Sequence, residues 1–202
     1  MPRSADAVIT DPPYMISSKS DGTGKLQPWA DYMNASFWYA EMLREIRRSL
    51  REGGCAWVFT NWRSMATMTK ASCDAGWPIA SCMVWSKGSL GTGNHLRHSY
   101  ELVLLFAMAG FELSSRSISD VQEFRPVPPA RRAHSAQKPV DLLKLIIKSS
   151  VPDGGTVLDP FMGSGSTGVA CAETGRSFVG IEMTERYYSA ARARIAEAYA
   201  RG

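Results

Sequence analysis

The chain has 202 residues, of which 45% are hydrophobic and 21% charged, and its formal net charge is +4. This size and composition predict a single globular domain, residues 1–202, with a full hydrophobic core. They exclude a membrane-spanning helix, because no run of about 18 apolar residues occurs. The four cysteines lack C-x-x-C spacing and the first residues lack an apolar signal segment, so we expect reduced thiols in a cytoplasmic protein. His95 and His98 have no further ligand nearby, and we expect no metal.

Basic residues are concentrated in two stretches that contain no Asp or Glu, 75–100 and 125–138. Such loop-like basic segments suit a polyanionic partner. Solvated basic loops without a partner are the alternative. The candidate contacts to a polyanion in these stretches are Lys87, His95, Arg97, Arg131 and Arg132.

The predicted elements alternate between strands and helices along the chain. They are a strand at 7–10, a helix at 36–50, a strand at 55–60, a helix at 62–75, strands at 79–85 and 100–108, a helix at 140–150, a strand at 156–158, a helix after a glycine-rich segment, a strand at 178–182 and a helix at 185–199. Residues 15–35 and 111–138 are predicted to be irregular, and Gly53 and Gly54 to end the first helix. The alternation predicts an α/β fold, with a mainly parallel sheet and helices on both faces.

The segment GSGSTG, residues 163–168, matches G-x-G-x-x-G between a predicted strand and a predicted helix. With Glu182 at the end of the next strand, this context predicts a nucleotide-binding loop rather than an empty glycine-rich turn. Asp159 stands between the strand and the glycines, where its carboxylate repels a pyrophosphate and attracts an ammonium or sulfonium group. S-adenosylmethionine is therefore favoured over a dinucleotide, and Glu182 is expected to accept from both ribose hydroxyls. A dinucleotide oxidoreductase is the competing hypothesis.

The position of this loop predicts the order of the functional segments. Only 34 residues follow Gly168, too few for the rest of a nucleotide-binding sheet. The remaining strands must come from the N-terminal half, so the segment that carries the chemistry precedes the cofactor loop. Asp11 and Asp159 both follow short apolar strands, and if those strands are neighbours the two carboxylates face one pocket.

The candidate catalytic residues form the rigid corner Asp11, Pro12, Pro13 and Tyr14. An exocyclic amine of adenine or cytosine is a poor nucleophile, because its lone pair is delocalised into the ring. The Asp11 side chain and the Pro12 carbonyl can accept its two N–H groups while the nitrogen becomes tetrahedral in line with a sulfonium methyl. Tyr14 offers a face on which a base can stack. An ordinary D-P-P turn is the alternative.

Four segments together resemble the β-class of DNA amino-methyltransferases, in which the catalytic motif precedes the cofactor motif. They are DPPY at 11–14, HSAQKP at 134–139, DPFMGSGSTGVA at 159–170 and GIE at 180–182. The resemblance covers nearly the whole chain. It implies a circularly permuted, Rossmann-like S-adenosylmethionine-dependent methyltransferase fold, with a mixed sheet and an antiparallel edge hairpin from 79–108.

The resemblance also implies roles for individual residues. The target base is flipped out of double-stranded DNA, the segment WSKG at 85–88 lies beside it, and region 109–134 is a short candidate target-recognition region. For Trp85, a place in the hydrophobic core is the alternative. A homodimer is common among relatives. The expected cofactor-binding residues are Asp11, Lys138, Pro139, Asp159, Phe161, Gly163, Ser164, Gly165, Thr167 and Glu182.

The chain departs from the pattern in lacking room, ahead of Thr10, for an upstream strand that helps to hold the cofactor's adenine in relatives. The leading hypothesis is N6-adenine methylation of DNA, because DPPY favours adenine in this family. The alternatives are N4-cytosine methylation, RNA amino-methylation and a non-catalytic DNA-binding remnant.

Overall fold

The fold is an open α/β sheet, described here from a computed structural model at residues 4–13, 30–91, 95–115, 117–128 and 137–201. Side chains of the first helix are described from residue 34 onward. The elements within these ranges are β1 (Ala5–Thr10), α1 (Ala30–Ser49), β2 (Leu50–Thr60), α2 (Met65–Asp74), β3 (Ser81–Ser86), β4 (Tyr100–Ala107), β5 (Val121–Glu123), α3 (Val140–Ser150), β6 (Thr156–Asp159), α4 (Ser166–Ala172), β7 (Ser177–Gly180) and α5 (Glu185–Arg201). Tyr14, Arg131, Arg132 and His134 lie outside the described residues.

The strands form one seven-stranded sheet in the order β5-β3-β4-β2-β1-β6-β7. Strand β1 is buried along its whole length and pairs in parallel with β2 on one side and β6 on the other. A strand covered on both faces needs an almost continuous apolar run, which ADAVIT supplies around one buried aspartate, Asp6. The expected adjacency of the strands before Asp11 and Asp159 is therefore confirmed.

The sheet is mixed because β4 runs antiparallel to both β2 and β3. This hairpin confirms the expected antiparallel element. Strand β5 pairs in parallel outside β3 and forms the sheet edge, so the hairpin lies one strand inward. The sequence predicts no strand in this part of region 109–134, because the three residues of β5 are too few to carry a periodic signal.

Two apolar layers sandwich the sheet, as the alternation of elements predicted. Along β2, Cys55, Trp57 and Phe59 face the layer that contains α3, whereas Ala56 and Val58 face the layer that contains α1 and α2. This alternation follows from the two-residue period of a strand. Cys55 and Cys171 are buried free thiols, and burial raises the pKa of each to about 12.

Several predicted boundaries differ from those of the structure. Helix α1 begins inside the predicted loop 15–35 and ends at Ser49, ahead of the two glycines. Gly53 and Gly54 lie within β2, where a Cβ on Gly54 would come within 2.9 Å of the Asp6 carbonyl oxygen; the glycine thus permits close approach of two backbones. Strand β7 ends at Gly180, so Glu182 lies in the loop after it. None of the described helices is both long and apolar enough to span a membrane.

Candidate active site

A cleft of about 80 Å3 opens where β1 and β6 end side by side. Because both strands run in the same direction, their carboxyl ends deliver Asp11 and Asp159 to the same edge of the sheet. The residues that line the cleft are Thr10, Asp11, Phe59, Lys138, Leu143, Asp159, Phe161, Met162, Gly163, Ser164, Ser166 and Thr167. Seven of the residues predicted to bind the cofactor are among them. Pro139 follows the lining residue Lys138 in the sequence, and Glu182 accepts a hydrogen bond from the lining residue Gly163.

Asp159 braces the cofactor loop against the catalytic strand. One carboxylate oxygen accepts from the Thr10 hydroxyl at 2.8 Å and from the Phe161 N–H at 3.1 Å. The other oxygen accepts from the Thr167 hydroxyl at 2.8 Å. A carboxylate has about four lone-pair sites. The three donors use three of them, and about one is left for a ligand.

Opposing effects act on the pKa of the Asp159 carboxyl group. Burial raises its pKa to about 6, the hydrogen bonds from Thr10, Thr167 and Phe161 oppose that rise, and the charge of Asp11 adds to it. The three donors favour the ionised form of Asp159, and the burial of a side chain that is 4% exposed disfavours it.

Asp11 differs because its neighbours use only one side of its carboxylate. Its Oδ2 atom lies 2.6 Å from the Lys138 ammonium. Its Oδ1 atom is buried and has no hydrogen-bond partner within the described residues. A buried acceptor without a donor costs free energy, and a donor entering the cleft would remove that cost.

Lys138 lies between two acidic side chains. Besides Asp11, its Nζ atom contacts Glu101 Oε2 at 2.9 Å, and it lies 5.0 Å from the centre of the Phe59 ring. Burial alone would lower the pKa of Lys138, but the charges of Asp11 and Glu101 outweigh burial and raise it. Burial would likewise raise the pKa of Glu101, and the charges of Lys138 and Lys87 reverse that shift and lower it.

The glycine loop holds the acidic side chain that follows β7. The Gly163 N–H donates to one Glu182 oxygen at 3.2 Å, and the Thr184 N–H donates to the other at 2.8 Å. Two of about four lone-pair sites on Glu182 are therefore left for a ligand.

Two glycines of the loop permit its turn and its packing. Gly165 adopts a positive φ of 73° at the start of α4, a conformation that favours glycine. Gly168 packs against α5, since a Cβ there would lie 2.5 Å from Ile195.

Helix α1 contacts the segment that contains Pro12 and Pro13 through a hydrogen bond from Tyr39. The Tyr39 hydroxyl donates to the Pro13 carbonyl oxygen at 3.2 Å, and Pro12 is buried. The neighbouring Trp38 lies 5.8 Å from Phe161, ring centre to ring centre. One helix thus supports both the catalytic and the cofactor segment.

The residues predicted to bind a polyanion fall into three groups. Lys87 forms an ion pair with Glu101 at 2.8 Å and its side chain is only 22% exposed. His95 and Arg97 are exposed, with the Arg97 Nε donating to the Gly91 carbonyl at 2.8 Å. Arg131 and Arg132 lie outside the described residues, so their role stays a prediction.

For several residues of the site, the sequence predicted no role in binding or catalysis. Thr10, Phe59 and Glu101 reach the cleft or its lysine through strand pairing. For Glu101 a signal existed, because it is an acid at the start of the apolar strand YELVLLFA.

At the same sheet edge, just after β2, Trp62 is 52% exposed, and the Arg63 guanidinium lies 5.3 Å from the centre of its ring. In the described part of the chain no group of three or more His, Cys, Asp or Glu could hold a metal ion.

Comparison with known proteins assigns the class. The family model described as a DNA methylase, of the N6/N4 type, matches residues 5–193, and the chain belongs to this family of DNA N6/N4 amino-methyltransferases. A DNA adenine methyltransferase, YhdJ of Escherichia coli (strain K12), is 29% identical over 220 residues that cover 91% of this chain and 74% of YhdJ. The dinucleotide oxidoreductase hypothesis is wrong.

Solved structures show the same fold. The crystal structure of an M1.HpyAVI–SAM complex superposes with a TM-score of 0.72 and 24% identity, covering 95% of this chain and 89% of that one. The PvuII DNA methyltransferase, described as cytosine-N4-specific, superposes with a TM-score of 0.79 and 16% identity, covering 99% and 86%. The fold is that of S-adenosylmethionine-dependent DNA methyltransferases, as the sequence analysis expected.

Proposed function

We propose that this protein transfers a methyl group from S-adenosylmethionine to the exocyclic N6 amine of an adenine flipped out of double-stranded DNA. The observation that carries the proposal is the buried Asp11 Oδ1 atom, an acceptor without a partner among the described residues. The opposite oxygen of the same carboxylate is held by Lys138. A carboxylate that is held on one oxygen and has no partner on the other supports a role for Asp11 as acceptor for an incoming N–H group.

Asp11 and the Pro12 carbonyl together can accept the two N–H groups of the target amine. Holding both hydrogens draws the nitrogen out of the plane of the base and directs its lone pair along one line, which supplies proximity and orientation. The amine gains positive charge as the new bond forms, and the Asp11 carboxylate stabilises that charge. No strong base is required, because the proton becomes acidic once the nitrogen is alkylated.

S-adenosylmethionine supplies an electrophilic methyl on a sulfonium. The remaining acceptor site of Asp159 suits the ammonium of its amino acid portion, and the two remaining sites of Glu182 suit its ribose hydroxyls. The cation in the cleft lining, Lys138, already faces two carboxylates. A phosphate would meet uncompensated negative charge there, which argues for a cofactor without phosphate.

Adenine is proposed over cytosine on sequence grounds. The corner DPPY favours adenine in the β-class, and YhdJ is a DNA adenine methyltransferase by name. Both bases present an amine attached to a ring carbon, so the acceptor geometry at Asp11 serves either. N4-cytosine methylation is the second candidate, supported by the fold likeness to the cytosine-specific PvuII enzyme.

The test is methylation of unmethylated DNA by the purified protein, followed by digestion and mass spectrometry of the nucleosides. N6-methyladenine is the expected product, and N4-methylcytosine would move the base assignment. Calorimetric titration with S-adenosylhomocysteine accompanies it. Binding without any methylated nucleoside would contradict the DNA substrate, and absence of both binding and product would favour the non-catalytic remnant.

A further inference from the structure

The buried ion pairs at the cleft form a chain of four alternating charges. The chain runs Asp11, Lys138, Glu101, Lys87, with contacts of 2.6 Å, 2.9 Å and 2.8 Å from one charged group to the next. Asp11 is the proposed acceptor for the target amine. Glu101 is not, since Lys138 stands between the two carboxylates.

Strand pairing brings Glu101 to this position. Because β4 runs antiparallel to its neighbours, it begins at the edge where β2 and β3 end, and Glu101 pairs with Trp85 near the end of β3. There its carboxylate contacts Lys138, which also contacts Asp11 after β1, and 18% of the Glu101 side chain is exposed. An acid at this position has no role in the core, where β4 is apolar from Leu102 onward.

Glu101 completes the environment of the Lys138 ammonium. That ammonium has three donor hydrogens. Asp11 Oδ2 and Glu101 Oε2 each accept one, and the rings of Phe59 and Trp85 lie 5.0 Å and 6.0 Å away. A lysine held from three sides cannot follow Asp11 when the carboxylate engages a substrate, so it keeps the carboxylate in place.

Glu101 also determines the net charge beside the target amine. Asp11 and Lys138 alone would form a neutral pair, which is a poor environment for an amine that becomes cationic. With Glu101 the three inner groups carry one net negative charge, and Lys87 balances it on the far oxygen of Glu101. The four groups together are neutral, but Glu101 comes before Lys87 in the chain of contacts from Asp11, so its negative charge partly offsets that of Lys138 at the position where positive charge develops.

We propose that Glu101 is a positioning residue for methyl transfer, which acts through Lys138 to hold the Asp11 carboxylate and keep its surroundings negative. This inference rests on the proposed function. It predicts a loss in kcat for Glu101 variants, with the dissociation constant of S-adenosylhomocysteine and the KM for DNA changing by less than about threefold, because Glu101 is one residue removed from the reacting groups.

The experiment compares Glu101→Gln, which keeps the shape and removes the charge, with Glu101→Asp, which keeps the charge and shortens the side chain. We expect kcat to fall by about 10- to 100-fold in Glu101→Gln and by less in Glu101→Asp. A role in packing alone predicts the reverse order, and that order would overturn the proposal. Thermal unfolding of both variants shows whether each is folded.

Two controls sharpen the comparison. Lys144 bridges Asp141 and Glu173 on the surface, at 2.7 Å and 3.0 Å, in the same arrangement outside the cleft. Glu173→Gln is therefore the matched variant and should keep the wild-type kcat. In a Lys138→Met background, Glu101→Gln should cause no further loss in kcat, because Glu101 acts through Lys138; additive losses would refute that route. Absence of turnover in the wild type would instead contradict the proposed function, and this inference with it.

Discussion

Asp11 and Asp159 lie at the ends of adjacent parallel strands, yet their surroundings give them different tasks. Asp159 accepts three hydrogen bonds from Thr10, Phe161 and Thr167. Asp11 has one oxygen on Lys138 and the other without a partner in the described structure. The number of acceptor sites already used, rather than the position in the fold, thus separates the brace Asp159 from the proposed acceptor Asp11.

The two carboxylates also differ in the groups that surround them. Neutral donors surround Asp159, and burial raises its pKa to about 6. Asp11 instead faces the ammonium of Lys138, which Glu101 shares. The fold thus places a carboxylate held by neutral donors beside one held by a lysine.

Replacing the acceptor should have the largest effect. Asp11→Asn keeps the shape but loses the charge that stabilises the developing cation, and methylation should fall by about 10²- to 10³-fold or more. Binding of S-adenosylhomocysteine, measured by calorimetry, should stay within about threefold. Asp74→Asn, which alters a surface carboxylate paired with Lys70 at 2.7 Å, is the matched control. Full activity in Asp11→Asn would remove the distinction between the two carboxylates.

Replacing the brace should affect folding and cofactor binding together. In Asp159→Asn an amide has one acceptor oxygen, and its NH2 group would face a hydroxyl or N–H donor. We expect a loss of about 1–3 kcal/mol in the free energy of unfolding and weaker binding of S-adenosylhomocysteine. Urea unfolding measures the first quantity. Unchanged unfolding together with lost turnover would show that Asp159 acts chemically rather than as a brace.

The raised pKa of Asp159 predicts a pH dependence of stability. Its pKa in the folded protein is about 6, compared with 3.8 for a free side chain. Between these values the folded state binds more protons than the unfolded state, so the free energy of unfolding falls as pH rises from about 4 to about 6. The fall attributable to Asp159 is on the order of 2–3 kcal/mol at most.

The difference between wild type and Asp159→Asn isolates this contribution from other titrating groups. Urea unfolding at a series of pH values should show the wild type losing stability relative to the variant across this range. A constant difference would mean that Asp159 titrates near its ordinary pKa, and that its donors offset the effect of burial.

The smallest effects concern two cations that the sequence analysis treated alike. Arg97 is exposed, so Arg97→Glu should weaken DNA binding and reduce its salt slope by about 1. Lys87 is paired with Glu101, so Lys87→Gln should lower kcat and leave the salt slope unchanged. Arg48→Glu, at the far end of α1, is the control for surface charge. Equal salt slopes for the Arg97 and Lys87 variants would contradict the structural distinction between them.

Local patterns were sufficient to predict seven of the residues that line the cleft but not its charge network. The apolar run before Asp11 and the glycine segment after Asp159 carry strong strand and loop signals, and helix α3 was predicted at its observed bounds. Strand β5 is too short for a periodic pattern. The contact of Lys138 with Glu101 joins residues 37 positions apart. It depends on the order of strands in the sheet, and no local rule reports that order.

The most direct test of the account is the structure of the protein with S-adenosylhomocysteine and a DNA duplex that it methylates. We expect the exocyclic nitrogen of the target base within about 2.7–3.2 Å of Asp11 Oδ1, with Lys138 still on Oδ2 and Asp159 still bound to its three donors. A target amine held by Asp159, or one that reaches neither Asp11 nor the Pro12 carbonyl, would contradict the assignment of Asp11 as the acceptor.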